Sequence, residues 1–472
     1  MTQLASVALF ALPTVLAFFA GGYFAGPRRV AIVVAWTLAA IAIVVTPHAL
    51  RAWAWPPRLC VLVGLCLLAA WTFLSATWAP VPARAVQYGE IASLYLGTLV
   101  AATTLTGNTR TRRAVEPALS AGAVLVILYG LSERLLPGVL HFARTSFSLG
   151  RLEQPLTYWN AEGELAAIGL VLSARIAGDD GRGRRVRMAA AASCCPLAAG
   201  LYLSFSRGAL FAAGVGLLML VFLAPQHEQL RAVVVCSAIA VVSSIAVIPV
   251  SQMRWLEGSL ASREWTGLLV LLLLVTISAG AALGASTLIV RGRTGDLGLS
   301  RRTRMIPSAL VTVALVAFIA VGTARWSPAR VSSGANRLIT TSSIRYAYWR
   351  VAVHAFTAEP IRGVGAGGWA IWWLREEPSE APAQDAHSLP LQTLAELGLV
   401  GMGLLTAFLC GVALAARDGL HVTPRVAAGP IAGCVVYLAH APLDWDWEMP
   451  AVTLVAIILA GALLGGGVAA EP

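Results

Sequence analysis

The chain of 472 residues is 58% apolar and only 12% charged, with a mean hydropathy of +0.76, which excludes a soluble globule and puts the chain in a lipid bilayer. A formal charge of +11 at pH 7 would suit nucleic acid, but every basic residue is Arg and most stand in short loops between apolar runs. That distribution is a mark of membrane topology, so no nucleic-acid partner is expected.

A helix that crosses a hydrocarbon core of roughly 30 Å needs about 20 largely apolar residues. In chain order the apolar runs are Leu4 to Ala25, Val30 to Val45, Leu59 to Ala76, Ala85 to Leu105, Ala118 to Leu136, Ala161 to Ala177 and Met188 to Leu203. They continue as Ala209 to Leu223, Ala232 to Val250, Trp265 to Val290, Met305 to Gly322, Leu397 to Ala416, Val426 to Ala441 and Ala451 to Ala469. Several are short for a crossing, so the expectation is an all-α polytopic membrane protein with roughly 12 to 14 transmembrane helices. The first run follows neither a basic region nor a small-residue cleavage pattern and is expected to be a retained helix. Cys60, Cys66, Cys194, Cys195, Cys236, Cys410 and Cys434 lie within or beside apolar runs without metal-ligand spacing. They read as small hydrophobic residues, and no metal or cofactor is expected.

Arg-rich loops mark the cytoplasmic side. Gly107 to Arg113, Arg175 to Arg187 with five Arg, and Arg291 to Arg304 with five Arg are assigned there, with both termini, although Arg28 and Arg29 run against the rule. The longest non-spanning stretch, Ala324 to Glu396, then faces outward, and it holds Trp326, Tyr346, Tyr348, Trp349, Trp369, Trp372 and Trp373 among seven Arg. Ile344, Ala347, Tyr348, Val351 and Ala355 recur at helical spacing, predicting an amphipathic helix near the headgroups that Pro360 ends. The run Arg362-Gly-Val-Gly-Ala-Gly-Gly-Trp369 reads as a flexible turn at the membrane surface, or as glycines that bring backbone N–H groups close to phosphate. It lacks both the Gly-Lys-Ser/Thr of a phosphate loop and the strand of a dinucleotide fold.

Three kinds of residue could carry chemistry. Arg207, in Leu203-Ser-Phe-Ser-Arg-Gly-Ala209, has almost no loop to host its charge, so it either snorkels to the interface or presents its planar fork to a phosphate. His387, where the outward segment returns to the membrane, is either a surface histidine or a base for a sugar hydroxyl. His354 reads as a structural member of the amphipathic helix. The outward carboxylates Glu153, Glu162 and Glu164, near Tyr158 and Asn160, and Asp444, Asp446 and Glu448 can serve acid and base roles. Asp444-Trp-Asp-Trp-Glu448 also reads as an aromatic-belt turn with solvated acids.

Ser206-Arg207-Gly208, Arg345 through Trp349 to Pro360-Ile-Arg-Gly-Val-Gly365, and Ala386-His-Ser-Leu-Pro-Leu-Gln-Thr-Leu-Ala-Glu-Leu-Gly-Leu-Val-Gly401, in that order and spacing, resemble the O-antigen ligase and O-antigen polymerase family. The resemblance covers roughly Arg151 to Gly401. It divides the chain into N-terminal helices (1–150), a catalytic region (151–401, with the outward segment 324–396) and C-terminal helices (402–472), on a GT-C-like glycosyltransferase plan. It implies an inverting, metal-independent transfer of a glycan from an undecaprenyl diphosphate-linked donor to a glycan, lipid or protein acceptor hydroxyl, outside the inner membrane. His387 matches the family histidine that deprotonates the acceptor. Arg207 matches an arginine that holds the donor diphosphate, and Arg345, with Arg350 as its rival, matches the second. Glu153, Tyr158, Asn160, Asp385 and Asp444 are possible supporting residues. The family often has Asn after its histidine, whereas this chain has Ser388. A polymerase using the same donor is the near alternative, and a lipid-linked glycan flippase the distant one, since a flippase is expected to carry charge inside many spans.

Overall fold

The computed structural model describes residues 1–46, 55–139, 142, 150–251, 259–290, 295–298, 344–377 and 382–466. The expected run from Met305 to Gly322 and most of the loop from Arg291 to Arg304 lie outside the described residues. So does the part of the outward segment before Ile344, Trp326 included.

In lipid every backbone N–H and C=O must be satisfied within the protein, and helices do this segment by segment. The described residues are accordingly helical, with one isolated bridge between Gln226 and Asp296. The first helices are α1 (Thr2–Ala17), α2 (Ala25–Val45), α3 (Pro56–Leu74), α4 (Pro82–Leu105) and α5 (Thr109–Leu135). They are followed by α6 (Trp159–Gly178), α7 (Arg184–Leu203), α8 (Arg207–Leu223), α9 (His227–Ala246) and α10 (Leu260–Gly284). Two short helices, α11 (Arg345–Ala358) and α12 (Trp369–Glu376), precede α13 (Leu389–Val422), α14 (Pro424–His440) and α15 (Pro450–Gly465). Among the described residues, eight helices are long and apolar enough to cross a membrane, and α1, α8 and α15 are shorter apolar helices. The chain is a multi-pass membrane protein. Helices α4 and α6 match the spans in length but carry Glu90, and Glu162, Glu164 and Arg175.

Helix α6 is the axis of the bundle, buried from Asn160 to Gly178. Small residues let neighbours approach it: a methyl on Gly169 would come within 2.8 Å of Ala123 and 2.9 Å of Leu197. Packing crosses the boundaries read from sequence, since α13 lies on α3 and α15 on α4 and α1 within one apolar core. The Arg-rich turns after α4 and α6 meet at one end, where Arg182 pairs with Glu116 and Asp179, and Arg425 with Asp180. At the opposite end lie the turns between α7 and α8 and between α14 and α15. Arg28 and Arg29, the pair that runs against the charge rule, are both bridged to Glu90 of α4, at 3.3 and 2.9 Å.

The amphipathic helix is α11, and it stops at Ala358, two residues before Pro360. Its buried face is Ala347, Trp349, Val351, Ala352 and Ala355, while Ile344 is exposed. The Gly-rich run differs from the flexible turn expected of it, because residues 363–370 are all buried. Helix α13 is broken at Gly398 (φ 63°, ψ −162°), and the run lies along the break. Val364 and Gly365 donate to the carbonyls of Ala395 and Glu396, at 2.9 Å each, and Leu399 donates to Pro360 at 2.8 Å. Gly363 (φ +72°) and Gly398 make this possible, since a methyl on either would strike backbone of the other strand of chain. Residues 360–365 satisfy the groups that the break frees, and the glycines serve backbone packing by letting the two segments come close.

Candidate functional site

The site is organised around Asp444, a fully buried carboxylate in the turn between α14 and α15. Its Oδ1 lies 2.8 Å from His387 Nδ1 and accepts from the Tyr158 hydroxyl at 2.7 Å and from the Trp445 N–H at 3.0 Å. Its Oδ2 accepts from the Arg345 guanidinium at 2.7 Å. Asn160 Nδ2 donates to the Tyr158 hydroxyl at 2.7 Å. Burial alone would raise the Asp444 pKa, but the Arg345 charge and the His387 hydrogen bond outweigh it and hold the group well below the usual carboxylate range. An ionised carboxylate only accepts, so Nδ1 of His387 carries the hydrogen, and Nε2 is the basic nitrogen of the neutral ring. Tyr158 is pushed well above the usual phenol range, by burial first and the Asp444 charge second, and remains a donor.

His387 is held from several directions. It has a left-handed backbone (φ 52°), a conformation that costs a non-glycine residue about 1 kcal/mol or more and concentrates at functional sites. Trp349 Nε1 donates to its carbonyl at 3.3 Å, and the Ala386 N–H donates to Gln392 Oε1 at 3.1 Å. Tyr348 stacks on the imidazole, with centroids 5.2 Å apart and planes 19° apart. The His387 side chain remains 21% exposed. Ser388, which follows it, is buried, and among the described residues its Oγ has no hydrogen-bond partner.

Arg207 begins α8 after the tight turn Ser204-Phe205-Ser206, in which Phe205 is left-handed (φ 48°) and Ser206 caps the helix by accepting from Ala209 N at 3.3 Å. Its guanidinium is half-buried and close enough to Arg345 for the two charges to repel. Among the described residues it has no hydrogen-bond or ion-pair partner. Of the rival arginines, Arg345 reaches Asp444, whereas Arg350 points elsewhere and pairs with Glu377. His354 is on the exposed face of α11, with Nδ1 2.9 Å from Glu376.

The structure thus brings together His387, Asp444, Tyr158, Asn160 and Arg345, with Arg207 beside Arg345. Asp385 is adjacent in sequence but bonds to Tyr88 and, at 3.1 Å, to Gln392. Gln392 also lines a cavity of about 40 Å³ with Glu396 and Glu448. Glu153 lines a separate recess with Arg134 and Arg151. The belt of solvated acids expected at Asp444 to Glu448 is absent: all three carboxylates are buried, as are Glu162 and Glu164. Burial follows from the packing of helices from distant parts of the chain around them, which local sequence does not reveal. Sequence reasoning missed Tyr348 as the ring on His387, and His440, which pairs with Asp446. The available signal was the clustering of Asp444, Asp446 and Glu448 between two apolar runs, only four residues after His440.

Residues 265–406 match the family model described as O-antigen ligase, which relates the chain to the O-antigen ligase and polymerase family and supports activity of that general kind. The matched stretch contains Arg345 and His387, while Arg207, Tyr158 and Asp444 reach the site from outside it. A search of the curated proteins returned no match.

Proposed function

We propose that this chain, related to the O-antigen ligases through residues 265–406, transfers a glycan from an undecaprenyl diphosphate-linked donor to an acceptor hydroxyl at the outer face of the inner membrane. The observation that carries the reading is the His387–Asp444 pair at 2.8 Å, with an unpartnered guanidinium, Arg207, among the described residues next to it. Nε2 of His387 takes the proton of the acceptor hydroxyl, and the oxygen attacks the anomeric carbon. The bond from that carbon to the diphosphate oxygen breaks, and its electron pair leaves on the diphosphate. Attack opposite the leaving group inverts the centre.

The arginine forks offset the charge that grows on the diphosphate. Arg207 is the principal phosphate ligand in this reading. Arg345, whose guanidinium donates to Asp444, ties the base to the leaving-group side. The imidazolium formed lies against the Asp444 carboxylate and the Tyr348 ring, both of which favour a cation. The collection of Arg182 and Arg425 at the other end of the bundle supports an outward site with cytoplasmic termini.

The test is transfer from an undecaprenyl diphosphate glycan to a panel of glycan, lipid and peptide acceptors in liposomes containing EDTA, read by mass spectrometry. Transfer that survives EDTA and is lost in His387→Ala and Arg207→Ala supports the reading, and the acceptor used separates ligase from polymerase. Movement of labelled lipid between leaflets without transfer would replace it with a flippase.

A further inference from the structure

A second histidine–carboxylate pair lies directly behind the first. His440, the last residue of α14, has no exposed side-chain surface, and its Nδ1 is 2.6 Å from Asp446 Oδ2 and 3.6 Å from Glu164 Oε2. Asp446 and Glu164 are equally buried. The cluster is not saturated: among the described residues, His440 Nε2, Asp446 Oδ1 and both Glu164 oxygens have no hydrogen-bond partner. A buried polar group of this kind costs free energy that an apolar replacement would avoid, so its retention calls for a positional reason.

That reason lies in what the ring touches. On one side it is bonded to Asp446, two residues from the Asp444 that holds His387 and Arg345. On the other it abuts the start of α8: a methyl on Gly208 would lie 2.8 Å from His440 Cδ2 and 2.9 Å from Nε2. Gly208 follows Arg207, so one rigid side chain spans the base half and the phosphate half of the site. Glu164 approaches the same ring from α6, so four segments of chain are set by it.

We infer that His440 is a positioning residue, a buried pin between Asp446 and Gly208 that sets the distance from the Arg207 guanidinium to the Asp444–His387–Arg345 group. This role rests on the donor reading proposed above.

The experiment uses the full chain in lipid nanodiscs, with undecaprenyl diphosphate as the probe for binding and thermal melting as the check on folding. The variants are Gly208→Ala, His440→Ala, their combination, His440→Gln and Arg207→Ala. The expected result is that Gly208→Ala weakens binding about tenfold in the natural background and has little further effect in His440→Ala, whose smaller side chain leaves room for the methyl. His440→Gln, which can still donate to Asp446, should recover most of the binding lost in His440→Ala. A melting temperature lowered by Gly208→Ala and His440→Ala with unchanged binding would reduce the pin to a structural contact and overturn the proposal. So would losses that simply add in the double variant. Unweakened binding in Arg207→Ala would instead defeat the donor reading, and the role of His440 with it. Weakened binding in Arg207→Ala beside normal binding in Gly208→Ala defeats the pin alone.

Discussion

Replacing Asp444 with Asn keeps the shape of the group and removes its charge, which separates orientation of His387 from simple packing. At 2.7 Å and an effective dielectric of about 20, the Arg345–Asp444 attraction is roughly 6 kcal/mol before desolvation is subtracted. Arg345 remains 20% exposed, so water can recover part of its solvation, and the net loss of stability should be about 3 kcal/mol. The effect on rate should be larger. An amide at position 444 can donate as well as accept, so the proton of His387 is no longer fixed on Nδ1. In a serine-protease triad the same change costs about 10⁴-fold, and a fall of about 10³- to 10⁴-fold is expected here. The assay is single-turnover glycan transfer at saturating donor, with thermal melting of the same preparation in detergent. A well-folded Asp444→Asn protein that transfers within about tenfold of the natural rate would refute Asp444 as the group that orients the base.

Other consequences of the geometry can be checked separately. The folded pKa of Asp444 lies below its ordinary 3.8, so its pairing stabilises the fold fully above about pH 4 and is lost only as pH falls through the depressed value. The difference in melting temperature between the natural chain and Asp444→Asn should therefore be flat from neutral pH to about pH 4 and shrink below it. Arg345→Ala should abolish transfer, whereas Arg350→Ala, which breaks a half-exposed pair with Glu377, should leave it within about threefold. Comparable losses in the two variants would contradict the assignment. Gly363→Ala should destabilise the protein by about 3 kcal/mol in chemical or thermal unfolding, because its methyl meets the Glu396 backbone at a left-handed φ. A neutral outcome would mean that the Gly-rich run does not depend on close packing against the broken helix.

The general class of the protein was legible without coordinates, for a physical reason. Crossing hydrocarbon requires long apolar helices with their backbone groups satisfied internally, and this requirement is written into consecutive residues. Each apolar run that falls on described residues accordingly contains a helix, although the first stops at Ala17, short of its expected end at Ala25, and α11 ends where Pro360 forbids continuation. Arg207 and His387 stood out for a related reason: a charge with no loop, and an imidazole at a return to the membrane, are local anomalies. Tertiary structure decided the rest. Asp444 read either as one acid of a solvated turn or as a supporting residue of the site, and its pairing with His387, 57 residues away in the chain, depends on α13 and α14 delivering both to one end of the bundle. The same placement brought Arg345 rather than Arg350 to Asp444 and buried Asp446 against His440. It also turned the Gly-rich run from a flexible turn into a packed splint for the break at Gly398. Backbone periodicity is a property of neighbours in sequence, whereas the Coulomb and hydrogen-bond energies that build a buried site depend on distance alone, and only the packed helices set those distances.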